Sequence, residues 1–177
     1  MSRDIIHKEN FYMRNIYLDA VRAIDVISEL PEVDASKIVA LGTSQGGALS
    51  IVASALSGKV IRSFSAAPSY SCLKERVELG SGVFSATNMF LRKYPEYTDQ
   101  AFDTLSYFDI NNMASLVKSP ASVMLGLNDP ICLPKFVYSI YDHINAPKEI
   151  FIMPLAQHEI VISYQKYVHG EFAKLLQ

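Results

Sequence analysis

Ile38-Val39-Ala40-Leu41-Gly42-Thr43-Ser44-Gln45-Gly46-Gly47-Ala48 is the stretch on which the fold turns. Four apolar residues run into a glycine and read as a short buried strand. Gly46 to Ser57, rich in Ala, Ser and Leu, reads as a helix. Between them lies G-x-S-x-G, so the order strand–turn–helix is that of a nucleophile elbow. The reason for the pattern is steric. A serine on a sharp, strained turn needs small neighbours, and Gly42, Gly46, Gly47 and Ala48 supply them. Two plainer readings compete: a glycine-rich turn with an idle serine, and a phosphate-binding loop. The second would need a Lys-Ser/Thr that is missing here.

Outward from the elbow the pattern repeats. Upstream, Tyr17, Val21, Ile24 and Ile27 recur at helical spacing, predicting an amphipathic helix over 17–30 that ends at Pro31. Downstream, Val60 to Ala66 reads as a second strand, Ser122 to Leu125 as a third and Glu149 to Ile152 as a fourth. Helices are expected over 136–143 and from His158 to Leu176, and in part over 99–105 and 112–117. Strands that alternate with helices imply right-handed crossovers and a parallel sheet. Strands that are unbroken apolar runs imply cover on both sheet faces. No repeat or linker divides residues 1–177, so a single α/β domain is expected.

Composition narrows the function classes. Half of the 177 residues are hydrophobic and 19% are charged, which excludes a disordered chain. The 16 basic and 18 acidic residues are interspersed, giving a net charge of −2. That argues against a nucleic-acid surface and against a polybasic membrane anchor. No stretch approaches the roughly 18 apolar residues of a membrane span. Residues 1–10 lack the apolar core of a secretory signal. Cys72 and Cys132 make no disulfide framework. A soluble, cytoplasmic, reduced protein is the expectation.

A serine becomes a nucleophile when a base takes its proton. Of the four histidines, His7 lies in a polar leader, and His143 and His169 fall inside predicted helices. His158 lies where the fourth strand gives way to the last helix, at the end of the sheet where Ser44 also sits. Sites in parallel sheets gather beyond the carboxyl ends of the strands. The plain alternative for His158 is a surface or capping residue. A base needs an acid to fix its tautomer. Asp129 follows the third strand within Gly126-Leu127-Asn128-Asp129-Pro130, a run that also suits an ordinary turn. Asp109 and Asp142 are weaker rivals, because neither follows a strand. The order Ser44…Asp129…His158 is that of the α/β-hydrolases, and the Gln45 N–H is the expected oxyanion donor. Cys132 reads as packing. No His, Cys, Asp or Glu cluster has metal-ligand spacing, so neither metal nor cofactor is expected.

Several runs carry a family resemblance: Tyr17-Leu18-Asp19-Ala20-Val21-Arg22-Ala23, Pro31-Glu32-Val33-Asp34, Gly42-Thr43-Ser44-Gln45-Gly46-Gly47-Ala48, Thr104-Leu105-Ser106-Tyr107-Phe108-Asp109, Gly126-Leu127-Asn128-Asp129-Pro130 and His158-Glu159. Together they resemble the cephalosporin C deacetylase/acetyl xylan esterase family of α/β-hydrolases, over nearly the whole chain. The resemblance implies Ser44 as nucleophile, Asp129 as acid and His158 as base. It implies removal of acetyl groups from short xylo-oligosaccharides and cephalosporin C without a metal, and a homo-oligomer, since family members form hexamers.

The chain also departs from the family. Members are longer at the N-terminus, where the first strands, an Arg-Gly-Gln motif and a tyrosine carrying a second oxyanion N–H lie. A partial α/β-hydrolase fold follows, with the strand over 38–41 as an open apolar edge. Leu133-Pro134-Lys135 stands where Pro-Pro-Ser is usual, and Leu155-Ala156-Gln157 precedes His158 where a small residue is usual. Two readings therefore stand side by side. One is a serine esterase acting on acetylated sugars or small acetates. The other is a non-catalytic or weakly active assembly subunit that takes its missing strands from a partner chain. Another α/β-hydrolase, a dienelactone hydrolase or an acyl-peptidase, ranks below both.

Overall fold

A computed structural model of the chain describes residues 2–175. Four strands lie side by side in chain order and all run parallel: β1 (Val39–Thr43), β2 (Arg62–Ala66), β3 (Ala121–Gly126) and β4 (Lys148–Met153). Each is within two residues of its expected place. The elbow strand runs on through Gly42 and Thr43, which pair with Ser65 and Ala66 of β2.

Helices cover both faces, although β3 alone of the four strands is buried along its whole length and β2 carries Arg62, Ser63 and Ser65 rather than an unbroken apolar run. On one face Val123 and Leu125 of β3 pack with Ile51 and Val52 of α2 (Gln45–Leu56) and with Val137 and Ile140 of α7 (Pro134–His143). On the other, Phe64, Ala66 and Met124 meet Tyr164 and Val168 of α8 (Ile162–Leu175). The alternation of Val123, Met124 and Leu125 between two cores is the pleat of a doubly covered strand. The last helix begins at Ile162 rather than His158, and its expected end at Leu176 lies outside the described residues.

Helix α1 (Tyr12–Ser28) begins five residues before the predicted stripe because Met13 is core as well. Tyr17 and Ile24 are buried and Val21 is part-buried, whereas Ile27, the last member of the stripe, stays 36% exposed. The Tyr17 hydroxyl donates to the Phe108 carbonyl at 2.7 Å, tying α1 to the chain beyond α5 (Thr98–Ser106).

Residues 69–118 hold four helices where two partial ones are expected: α3 (Leu73–Leu79), α4 (Ser85–Lys93), α5 and α6 (Ile110–Ala114). The first, α3, is bounded by two left-handed residues, Cys72 (φ 51°) and Gly80 (φ 63°). Asp109 caps two helices at once. One carboxylate oxygen accepts the Asn111 N–H of α6 at 3.0 Å, and the other accepts the Leu73 N–H of α3 at 2.8 Å. That role settles Asp109 as a structural residue.

Among the described residues β1 has one strand neighbour, β2, and its outer edge is unpaired. Leu41 on this strand is 54% exposed, as expected of an open apolar edge.

Two buried tyrosines make the fold alkali-sensitive. Burial pushes Tyr70 and Tyr164 from 10.0 up to about 12. The fold holds the neutral phenol, while the unfolded chain ionises from pH 10 upward. Their contribution is therefore complete below pH 10 and is lost as the pH rises to 12. It is on the order of 2–3 kcal/mol for Tyr164 and smaller for Tyr70, the less deeply buried of the two. Urea melts across that range should show stability falling, and Tyr164→Phe should flatten the fall.

Candidate active site

Ser44 stands at the carboxyl end of β1 with φ 56° and ψ −116°. A non-glycine residue there carries strain of about 1–3 kcal/mol, so the surroundings must hold it. They do so through the backbone. The Ser44 N–H donates to Ala66 O at 2.9 Å, the Ser69 N–H donates to Ser44 O at 3.1 Å, and the Ala48 N–H donates to the same oxygen at 3.0 Å. The steric expectation holds in part. A Cβ on Gly42 would lie 2.1 Å from the carbonyl carbon of Gly46, and one on Gly47 would lie 2.9 Å from Ala66 O. A Cβ on Gly46 would meet nothing within 4 Å, so the second tight position is Gly47, not Gly46. Gln45 opens α2, and its backbone N–H has no acceptor one turn back, as at any helix N-terminus.

Asp129 lies three residues beyond β3 and is only 2% exposed. One of its oxygens accepts the N–H groups of Ile131 and Cys132, both at 2.8 Å. The other meets Nδ1 of His158 at 2.7 Å. The loops are locked together to make this contact. The Leu127 N–H donates to Met153 O, and the Asn128 N–H donates to Ala156 O, both at 3.0 Å. Gly126 allows the approach, since a Cβ there would lie 2.4 Å from Ala156 O. The unusual Leu155-Ala156-Gln157 run is thus part of this lock. Ala156 is buried, and the Gln157 N–H donates to the Glu159 carboxylate at 3.0 Å.

Among the described residues no hydrogen bond joins Ser44 to His158. Ser44 and Cys132 line the same cavity. His7, His143 and His169 are exposed, and so is Asp142.

Ser44 and Gln45 open onto a cavity of about 570 Å³ walled by Tyr70, Val83, Phe84, Ile131, Leu133 and Phe136. Two further residues there, Arg76 and Cys132, carry no functional signal in the sequence. Arg76 is 5% exposed; its Nε donates to Ser71 O at 2.9 Å, its guanidinium lies 4.4 Å from the Phe136 ring centre, and its Nη2 has no partner. Burial lowers the Arg76 guanidinium. In sequence Arg76 looks like any charged residue of a surface helix. Cys132 is buried as expected of a packing residue, yet it lines the cavity with Ser44 and Arg76. Burial pushes its thiol up, while Arg76 acts to lower it.

The expectation of no metal-ligating cluster needs correction. Donor atoms of Asp129, Cys132 and His158 all lie within 4.8 Å of one another. Spacing along the chain hides this, because His158 arrives from a different strand end.

Comparison with known proteins shows the family and the fold. The family model described as acetyl xylan esterase (AXE1) matches residues 1–176. The acetyl esterase Axe7A of Xylanibacter ruminicola is 32% identical over 151 residues, covering 85% of this chain and 34% of that protein. The acetyl xylan esterase from Paenibacillus sp. R4 superposes with a TM-score of 0.88 at 32% identity, over 96% of this chain and 55% of that one. Acetyl xylan esterase 1 from Thermoanaerobacterium sp. JW/SL YS485 gives 0.89 at 27% identity, over 97% and 56%. The chain thus spans between about a third and just over half of these relatives. Puromycin hydrolase, at 18% identity and a TM-score of 0.65, shares the fold alone.

Proposed function

We propose, from the premise that this chain belongs to the acetyl xylan esterase family, that it is a serine carboxylesterase removing acetyl groups from acetylated xylo-oligosaccharides and small acetates such as cephalosporin C. The observation that carries the reading is the 2.7 Å bond between Asp129 and His158 Nδ1, made at the sheet end where Ser44 sits on its strained turn. In this reading Asp129 keeps the proton on Nδ1 and leaves Nε2 free to accept one. The Ser44 hydroxyl turns to His158 when substrate enters, since catalytic hydrogen bonds often tighten only in the substrate complex. Ser44 Oγ attacks the acetyl carbonyl while His158 takes its proton, and the Gln45 N–H steadies the oxyanion. The carbon–oxygen bond to the alcohol then breaks, and His158 protonates the leaving oxygen. Water, deprotonated by His158, cleaves the acetyl-enzyme to acetate. The largely apolar cavity suits a small acyl ester, and no step calls for a metal or cofactor.

The same reading makes the partner a small acetylated substrate, with no nucleic acid or membrane, and puts the protein in the cytoplasm as a homo-oligomer. No helix among the described residues is long and apolar enough to cross a membrane.

A fluorophosphonate probe tests the serine mechanism. One label per chain on Ser44, with acetate released from an acetylated xylo-oligosaccharide, is the expected result. Label on another residue, or neither label nor acetate, overturns it. The unpaired outer edge of β1 favours a second reading, an assembly subunit that works only with further strands docked on that edge. Light scattering on size-exclusion fractions separates the two. An active, well-behaved species of this chain alone counts against the second.

A further inference from the structure

We infer that Asp129, Cys132 and His158 form a binding site for a thiophilic divalent cation, of the Zn2+ or Cd2+ type, that competes with the hydrogen bond between Asp129 and His158. A carboxylate oxygen, a thiol sulfur and an imidazole nitrogen within 4.8 Å of one another are a mixed O, S, N donor set. That is the chemistry which selects zinc-like ions over magnesium or calcium.

The donors are fixed. The Asp129 carboxylate is held by the Ile131 and Cys132 N–H groups, and Cys132 is 1% exposed on the same short loop. The cavity wall gives the sulfur a route to solutes, because Cys132 lines it beside Ser44. Tetrahedral coordination with bonds of about 2.0–2.3 Å puts O and N donors roughly 3.3 Å apart and sulfur roughly 3.6 Å from each. The Asp129–His158 contact of 2.7 Å must therefore open by about half an ångström, while the sulfur closes in. Ion and hydrogen bond exclude each other. On binding, the thiol releases its proton to solvent, the imidazole proton passes from Nδ1 to Nε2 so that the Nδ1 lone pair is free, and the sulfur–metal and nitrogen–metal bonds form; nothing is oxidised or reduced. Ser44 Oγ or a water completes the fourth position. Arg76 lines the same cavity as the thiol and opposes a second positive charge there.

Binding itself does not depend on the esterase reading. Its consequence, inhibition by the ion, does. Cd2+ reports both separately. Titration of the reduced protein should give one thiolate-to-cadmium charge-transfer band per chain, saturating at one ion. Cys132→Ser should lose the band and Cys72→Ser should keep it. Asp129→Asn should weaken binding at least about tenfold, the low end of what even outer-shell partners cost a metal site. If the esterase reading holds, acetate-ester hydrolysis should fall in step with the band and recover with chelator. Absence of the band, its survival in Cys132→Ser, or unchanged affinity in Asp129→Asn overturns the site. A full band with unchanged hydrolysis also overturns the claimed competition. A band in a protein with no hydrolysis to inhibit leaves the site standing and counts against the esterase reading.

Discussion

Asp129→Asn is expected to lower turnover of a chromogenic acetate ester roughly 10⁴-fold, the loss seen when the acid of a serine triad is amidated elsewhere. The way the carboxylate is held determines the loss. One oxygen accepts two backbone N–H groups, from Ile131 and Cys132. An asparagine must keep its carbonyl oxygen there, since turning the NH2 inward would set donors against donors. The NH2 then faces Nδ1 of His158, which becomes an acceptor. The imidazole proton moves to Nε2, and the nitrogen that should accept a proton from Ser44 already holds one. Size and shape barely change, so the melting temperature should stay within a few degrees. A variant that keeps more than about a tenth of the rate would show that Asp129 does not set the tautomer, and the hydrolytic reading would fail with it.

The second large effect is on stability. Gly42→Ala should destabilise the protein by more than about 3 kcal/mol, the upper end for overpacked cores. The added Cβ would lie 2.1 Å from both the carbon and the oxygen of the Gly46 carbonyl and 2.8 Å from its Cα. All three are backbone atoms at the start of α2, so no side chain can swing aside. For a chain of this length that corresponds to a melting temperature about 6–12 °C lower. Gly46→Ala is the internal control. Its Cβ meets nothing within 4 Å, and alanine in a helix gains up to about 1 kcal/mol over glycine. Thermal melts of the two variants should move in opposite directions; a similar loss in both would contradict the geometry.

What the sequence discloses here depends on the distance over which each feature is determined. The elbow is legible because its sterics are settled within a few residues, although the choice of Gly47 over Gly46 as the second tight glycine goes beyond the pattern. Asp129 and His158 are legible by position, since each follows a strand in a parallel sheet. The Asp129–His158 contact itself is a three-dimensional event, set by Gly126 lying against the Ala156 carbonyl. Helices α3 and α4 escape notice because the limits of α3 depend on left-handed residues and on a cap supplied by Asp109, 36 residues from Leu73. Arg76 and Cys132 are ordinary in sequence and become cavity walls only when the loops after β2 and β3 meet.

The positive φ of Ser44 sets heat resistance against reactivity at a single codon. Glycine would relax that backbone. A population screened only for survival at high temperature would therefore drift toward Ser44→Gly and lose the hydroxyl, so a thermostability campaign on this scaffold must select on both properties at once.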